Sequence, residues 1–133
     1  MGPKGKVFKP DYAKELLDIA GGDLASAEGL AQVGIGRAEN ICYMAQQCAE
    51  KSLKAVLCHL GKVVILSHDL DAILSHLPDN LQPPNSHKLG ALTEYSLIRR
   101  YEKGYEILSA EDIQLTISLA KETLAWAKKV CGV

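Results

Sequence analysis

The sequence is nearly empty of strand signals. Only KVVIL, residues 62 to 66, is both β-branched and apolar, and one strand without a partner does not make a stable sheet, so a loop is expected there. No apolar run reaches the roughly 18 residues of a membrane span, and no membrane association is expected. The opening MGPKGKVFKP is basic but has no apolar stretch behind it, so it is not expected to act as a secretory leader. Neither sign of charge is in excess: 15 Lys and Arg face 16 Asp and Glu, for a formal net charge of -1. That balance provides no global field to collect nucleic acid, so anion binding would need a local patch. The cysteines, Cys42, Cys48, Cys58 and Cys131, include no C-x-x-C pair. They are expected as small, buried, reduced core residues, which suits a cytoplasmic protein. His59, His76 and His87 have no metal-ligand spacing with a carboxylate cluster, and neither a metal nor a cofactor is expected. GIG, 34 to 36, lacks the strand context of a phosphate loop, and neither a G-x-S-x-G motif nor a Cys/His dyad is present.

What the chain does have is helical periodicity. At 133 residues, 47% hydrophobic and 23% charged, it fits one globular domain that buries a core without disulfides or metal. Residues 1–10 read as a flexible arm and 11–133 as a single domain. A first helix is expected over about 11–32, capped by Asp11, with Leu17, Ala20, Leu24, Ala27 and Ala31 on one stripe. Gly21 and Gly22 inside it suggest a bend or a close helix approach. A second helix is expected over about 37–60, ended by Gly61. Ser67 is expected to cap a short third helix that Pro78 ends. A fourth opens at Asn85 or Ser86 and runs to about Arg100. Ser109 and Asp112 form a capping-box pattern before a last helix over about 110–130, with Ile113, Ile117, Ala120, Leu124, Ala127 and Val130 on its stripe. The fold class is all-α: an antiparallel up-and-down four-helix-type bundle with an additional short helix.

The second helix raises a question of function. At 100° per residue, Asn40, Tyr43, Gln47, Glu50, Lys51 and Lys54 fall on one face, opposite Ile41, Ala45, Ala49, Ser52, Val56 and Leu60. Solvation is the plain explanation of such a face, with Glu50 and Lys54 an i, i+4 ion pair of a few tenths of a kcal/mol. Gln47 and Tyr43, however, are unusual choices for a merely wet surface.

The stretch AQQCAEKSLKAVLCHLGKVVILSHDLDAIL, 45 to 74, resembles the HEPN domain, the higher-eukaryote and prokaryote nucleotide-binding family. The family pattern is carried by Gln46, Gln47, Ala49, Glu50, Lys51, Leu53, Lys54, Ala55, Gly61, His68, Asp69 and Leu70. DLASAEGL, 23 to 30, and the stretch EYSLIRRYEKGYEILSAEDIQLTISLAKETLAW extend the likeness over about 11–130. The resemblance implies a helical bundle and leaves several functions open. Some family members resemble metal-independent ribonucleases with an R-x(4–6)-H motif, in which His is the acid/base and Arg holds phosphate. Others accompany separate minimal nucleotidyltransferases as toxin-antitoxin-like pairs, and others are thought to bind nucleotides. Here Arg99 and Arg100 are followed by YEKGYEILSAED, Tyr105 stands five residues after Arg100, and no histidine follows His87. Tyrosine, with an ordinary pKa of about 10, is a poor general base at neutral pH.

The candidate nucleotide or phosphate contacts are therefore Lys51, Lys54, His68, Arg99 and Arg100, supported by Tyr43, Gln47, Glu50, Asp69, Tyr101 and Tyr105. No residue is assigned a catalytic role. Each has a plain alternative: a dipole-favoured helix-end charge for the arginines, packing for the tyrosines, a cap or hydrogen bond for His68. Three functions compete. The chain is a nucleotide-binding and assembly module, a homodimer working with a separate nucleotidyltransferase. Or it is a ribonuclease or RNA-binding protein, which the missing histidine disfavours. Or its polar face is structural and joins helices or protomers through Glu50, Lys51, His68 and Arg100.

Overall fold

The computed structural model describes residues 4–96 and 107–133. Three 22-residue helices form its body: α1 over Tyr12–Val33, α2 over Ala38–His59 and, last in the chain, α5 over Ala110–Cys131. Ahead of α1, β1 (Gly5–Lys6) pairs antiparallel with β2 (Val64–Ile65). Short elements follow β2: α3 (Leu70–Leu74), α4 (Ser86–Leu89) and a 3-10 turn over Gly90–Ser96. The helix directions follow from cross-contacts. Cys58, late in α2, reaches the Lys9 carbonyl just before α1, while Lys51 reaches Asp23 in mid-α1, so α1 and α2 are antiparallel. Cys48 and Cys131 link α2 to α5 in the same sense, through the Ala120 and Ala55 carbonyls. Two parallel helices, both antiparallel to α1, are the second and fourth members of an up-and-down bundle. The third place is filled by the broken run from α3 to Ser96. The all-α bundle expected from periodicity is the observed fold.

Helix α2 is the axis. It packs against α1, α5, α3, β2 and the 3-10 turn, and Leu53, Ala55, Val56, Leu57 and Cys58 are fully buried in it. Its small Ala and Cys residues let neighbours approach closely. The stripes read from the sequence are the buried ones. Leu17, Ala20, Leu24 and Ala27 of α1 and Ile117, Ala120, Leu124 and Ala127 of α5 lie in the core, with Ala31, Ile113 and Val130 at its margin. The Ser109–Asp112 capping box forms in both directions, at 3.1 and 2.9 Å. Gly34 closes α1 in the left-handed conformation at φ 78°, which favours glycine.

Several local expectations are corrected. KVVIL is not a bare loop: the amino-terminal segment supplies its partner, with Gly5 opposite Ile65, Lys6 opposite Val64, and Leu66 N–H donating to the Lys4 carbonyl at 2.6 Å. Asp11 makes no side-chain cap and is itself helical in conformation. Gly21 and Gly22 bring no close approach: α1 is continuous across them, and the space around both is open. The α3 cap is Asp69, which accepts from Asp71 and Ala72 N–H, while Ser67 accepts from Asp69 N–H one step further out. α4 opens at Ser86 with Asn85 as its cap residue, as expected, although the Asn85 side chain donates to Glu122 rather than to the helix. The expected long fourth helix tightens into a 3-10 turn at Gly90, where the Asp71 carboxylate fills the space a β-carbon would need.

Two predictions follow from this packing. Gly22→Ala occupies open space in a helix interior and is expected to stabilise the protein by about 0.5–1 kcal/mol, read by urea denaturation. The second concerns the thiols. Cys42, Cys48 and Cys58 are buried, and burial pushes the Cys48 thiol up from 9.0 to about 12. A raised folded value means that the fold accommodates the neutral thiol. This contribution is complete below about pH 9 and is lost as the pH rises from 9 towards 12. Half-buried Cys131 is expected to react first with a thiol reagent at pH 8, and the buried three only in denaturant; equal rates in the native protein would contradict this.

Candidate functional site

The middle of the polar side of α2 is not a wet surface. Gln46 is 0% exposed, Glu50 3% and Gln47 8%. An isolated carboxylate at that depth would be costly, so its partners matter. Glu50 Oε1 accepts from Gln46 Nε2 at 3.2 Å and Gln47 Nε2 at 3.4 Å, and lies 2.8 Å from His68 Nδ1. Glu50 Oε2 accepts from Lys54 Nζ at 3.0 Å. Since a carboxylate accepts, the His68 tautomer that fits carries its hydrogen on Nδ1. Gln47 also donates to Gln46 Oε1 at 2.7 Å, and Gln46 Nε2 reaches the His68 carbonyl at 3.2 Å. Both oxygens of the buried acid are thereby satisfied. The same contacts fasten α2 to the segment that leads into α3.

Helical geometry explains the convergence. Gln46, Gln47, Glu50 and Lys54 lie within two turns, at spacings of three and four that bring side chains together. The Glu50–Lys54 pair has side chains only 5% and 13% exposed. It is a shielded pair rather than the screened surface pair assumed from spacing alone. One residue further round, Lys51 Nζ crosses to Asp23 of α1 at 2.6 Å, with about a quarter of each side chain exposed.

The candidate residues thus separate into groups. Lys54, His68, Glu50 and Gln47 form one connected cluster, and Lys51 sits beside it, paired with Asp23. Tyr43 is half-buried one turn before Gln47. Asp69 is exposed and committed to the α3 cap instead of meeting Glu50. Arg99, Arg100, Tyr101 and Tyr105 lie outside the described residues. Among the described residues no group of His, Cys, Asp and Glu is placed to hold a metal ion. Two members were missed from sequence. Gln46 falls about 100° from Gln47 and off the plotted polar face, although its position in the QQ pair was a signal. Asp23 borders the buried Ala20–Leu24–Ala27 stripe, the place for an acid facing a lysine of a neighbouring helix.

Removing the Glu50 carboxylate, as in Glu50→Leu, strands Lys54, both glutamines and His68. The expected loss is about 3 kcal/mol, low in the range for stripping one partner from a buried pair because Lys54 and His68 reach water. Lys51→Met is expected to cost under about 1 kcal/mol, since that pair is partly solvated. Urea unfolding of both variants tests this, and equal destabilisation would show that Glu50 has no special place.

Comparison with known proteins agrees with the geometry. No curated protein matches the chain in sequence. The crystal structure of TT1696 from Thermus thermophilus is similar, with a TM-score of 0.75 and 25% identity, covering 90% of this chain and 98% of that one. The profile of the HEPN domain matches residues 13–130, which takes in all three long helices and the whole Glu50 cluster. The chain belongs to the HEPN domain family.

Proposed function

We propose that this HEPN-domain chain is a nucleotide-binding and assembly module rather than an enzyme on its own. In this reading it is a cytoplasmic homodimer that works with a separate minimal nucleotidyltransferase, as one half of a toxin-antitoxin-like pair. The observation that carries the reading is the state of the α2 cluster. Every charged group in it is matched: Glu50 by Lys54 and His68, and Lys51 by Asp23. Such a cluster fixes geometry and neutralises charge. At the start of α5, Asp112 is held in the capping box, and the chain has no histidine after His87, where the ribonuclease motif would need one.

An assembly role has its own support. Val33 and Ile35, 70% and 57% exposed, flank the α1–α2 turn, and Ile107, 96% exposed, precedes α5. A cleft of about 190 Å³ at this end of the bundle is lined by Ile35, Ile41, Ala110 and Ile113. Exposed aliphatic groups around an apolar cleft favour contact with another protein surface. No helix among the described residues is long and apolar enough to cross a membrane.

The test is co-expression with the adjacent reading frame, which on this reading encodes a minimal nucleotidyltransferase, followed by purification on a tag carried by this chain. The expected result is a stoichiometric complex, together with a melting temperature that rises with a nucleoside triphosphate. Separate elution of the two proteins with no nucleotide shift would refute the reading. Mixed RNA cleaved by this chain, and spared by Arg100→Ala, would instead support the ribonuclease alternative.

A further inference from the structure

His68 stands where the buried cluster meets solvent. Its side chain is 59% exposed, while the Glu50 carboxylate that it touches is 5% exposed. Nδ1 lies 2.8 Å from Glu50 Oε1, and a carboxylate accepts, so the ring hydrogen is on Nδ1 and the lone pair is on Nε2. The carboxylate is not free to swing from the ring. Oε1 is also held by Gln46 and Gln47, and Oε2 by Lys54. Gln46 Nε2 donates to the His68 carbonyl as well, at 3.2 Å, which fastens the backbone beneath the ring. Among the described residues, Nε2 of His68 has no hydrogen-bond partner.

A buried acid, an imidazole fixed in one tautomer and a bare nitrogen in solvent are the parts of an activated nucleophile. When Nε2 attacks an electrophile the ring becomes cationic, and the carboxylate at Nδ1 stabilises that charge as it forms. Other uses of this nitrogen fit less well. Metal binding needs further ligands, and among the described residues no group of His, Cys, Asp and Glu is placed to supply them. General-base work needs a substrate seated at Nε2. A groove of about 200 Å³ beside the cluster has Glu50, Lys51, Lys54, Phe8 and Leu66 in its lining, but not His68. A nucleophile on open surface needs only that the electrophile be brought to it.

We propose that His68 Nε2 is a phosphoryl acceptor, modified by a small reactive donor of the acyl phosphate or phosphoramidate class. The Nε2 lone pair forms the new N–P bond. The donor's P–O or P–N bond breaks, and its electron pair leaves with the carboxylate or the ammonia. The Nδ1 hydrogen stays in place, so the hydrogen bond to Glu50 survives the step. Exposure suits the product, because its roughly two negative charges stay in water. Charge suits it as well. Glu50 and Asp23 are offset by Lys54 and Lys51, and the neighbouring Asp69 carboxylate is taken up by the α3 N–H groups. Phosphorylation then turns a neutral point on the surface into an anionic one while the buried cluster keeps its contacts. The proposal rests neither on nucleotide binding nor on a nucleotidyltransferase partner.

The test incubates the full chain with phosphoramidate and maps the phosphorylated histidines by mass spectrometry without acid. His76 is the internal control. It is exposed, and its Nδ1 lies 2.9 Å from the Ala72 carbonyl, so it shares the tautomer of His68 without the carboxylate. His68 is expected to be labelled about tenfold faster than His76, the low end of what an orienting partner on the other ring nitrogen contributes. His68→Asn keeps a side-chain N–H for Glu50 but has no Nε2. It is expected to hold the wild-type melting temperature and lose the label, with His76 labelled as before. Glu50→Gln is expected to bring the His68 rate down to that of His76. Should Glu50→Gln loosen the fold, imidazole nitrogen NMR of the wild-type chain reads the tautomer directly, and His68 is expected with its hydrogen on Nδ1 and Nε2 bare. Labelling of His68 no faster than His76, a His68 rate unchanged in folded Glu50→Gln, or a neutral His68 with its hydrogen on Nε2 overturns the proposal. Each of these outcomes leaves the nucleotide-binding reading standing.

Discussion

Glu50 is 3% exposed on the helix that α1, α3, α5 and β2 all touch, and a bare carboxylate at that depth would be expensive to desolvate. Its four donors come from two places. Gln46, Gln47 and Lys54 are supplied by the same helix at spacings that helical geometry makes close, whereas His68 arrives from the loop that follows β2. The acid therefore fixes where that loop runs. It also fixes where Asp69 begins α3 and where the chain turns towards the third place of the bundle. A buried polar cluster is worth most when every member is satisfied, and the cluster around Glu50 meets that condition.

This arrangement links fold to function through charge. Lys51 and Lys54 look in sequence like hands held out to an anion, but in the fold each is occupied by a carboxylate. What they contribute is a groove wall of balanced charge. Some of the lysines in no ion pair among the described residues, Lys4, Lys6 and Lys62, stand on or beside the β1–β2 pair. The amino-terminal segment thus helps to close the core over Val64 and Ile65 and carries the exposed lysines Lys4, Lys6 and Lys9.

The bundle was legible because its signals are local and repeated. The α1 and α5 stripes recur every three or four residues, and the Ser109–Asp112 box is a short-range pattern with a definite geometry. Expectations failed where a residue has several local partners on offer and packing chooses among them. Asp11 is a good capping type, yet its side chain makes no cap. Gly21 and Gly22 suggested a close contact, but no neighbouring element reaches them. The candidate site was half legible for the same reason. Angular placement found Gln47, Glu50, Lys51 and Lys54, while Gln46 and Asp23 entered through contacts that a single-helix projection does not contain.

By itself, the sequence determined an all-α bundle, the extent of its long helices, reduced core cysteines and membership of the HEPN family, since periodicity and a long contiguous motif are properties of neighbouring residues. Only the tertiary structure decided that Gln47 and Glu50 on the polar face of α2 are buried, that Lys51 is paired with α1, and that KVVIL finds a strand partner near the amino terminus. Burial and long-range pairing depend on which elements come to lie together. A charge pattern on one helix cannot reveal whether water or another helix will cover it.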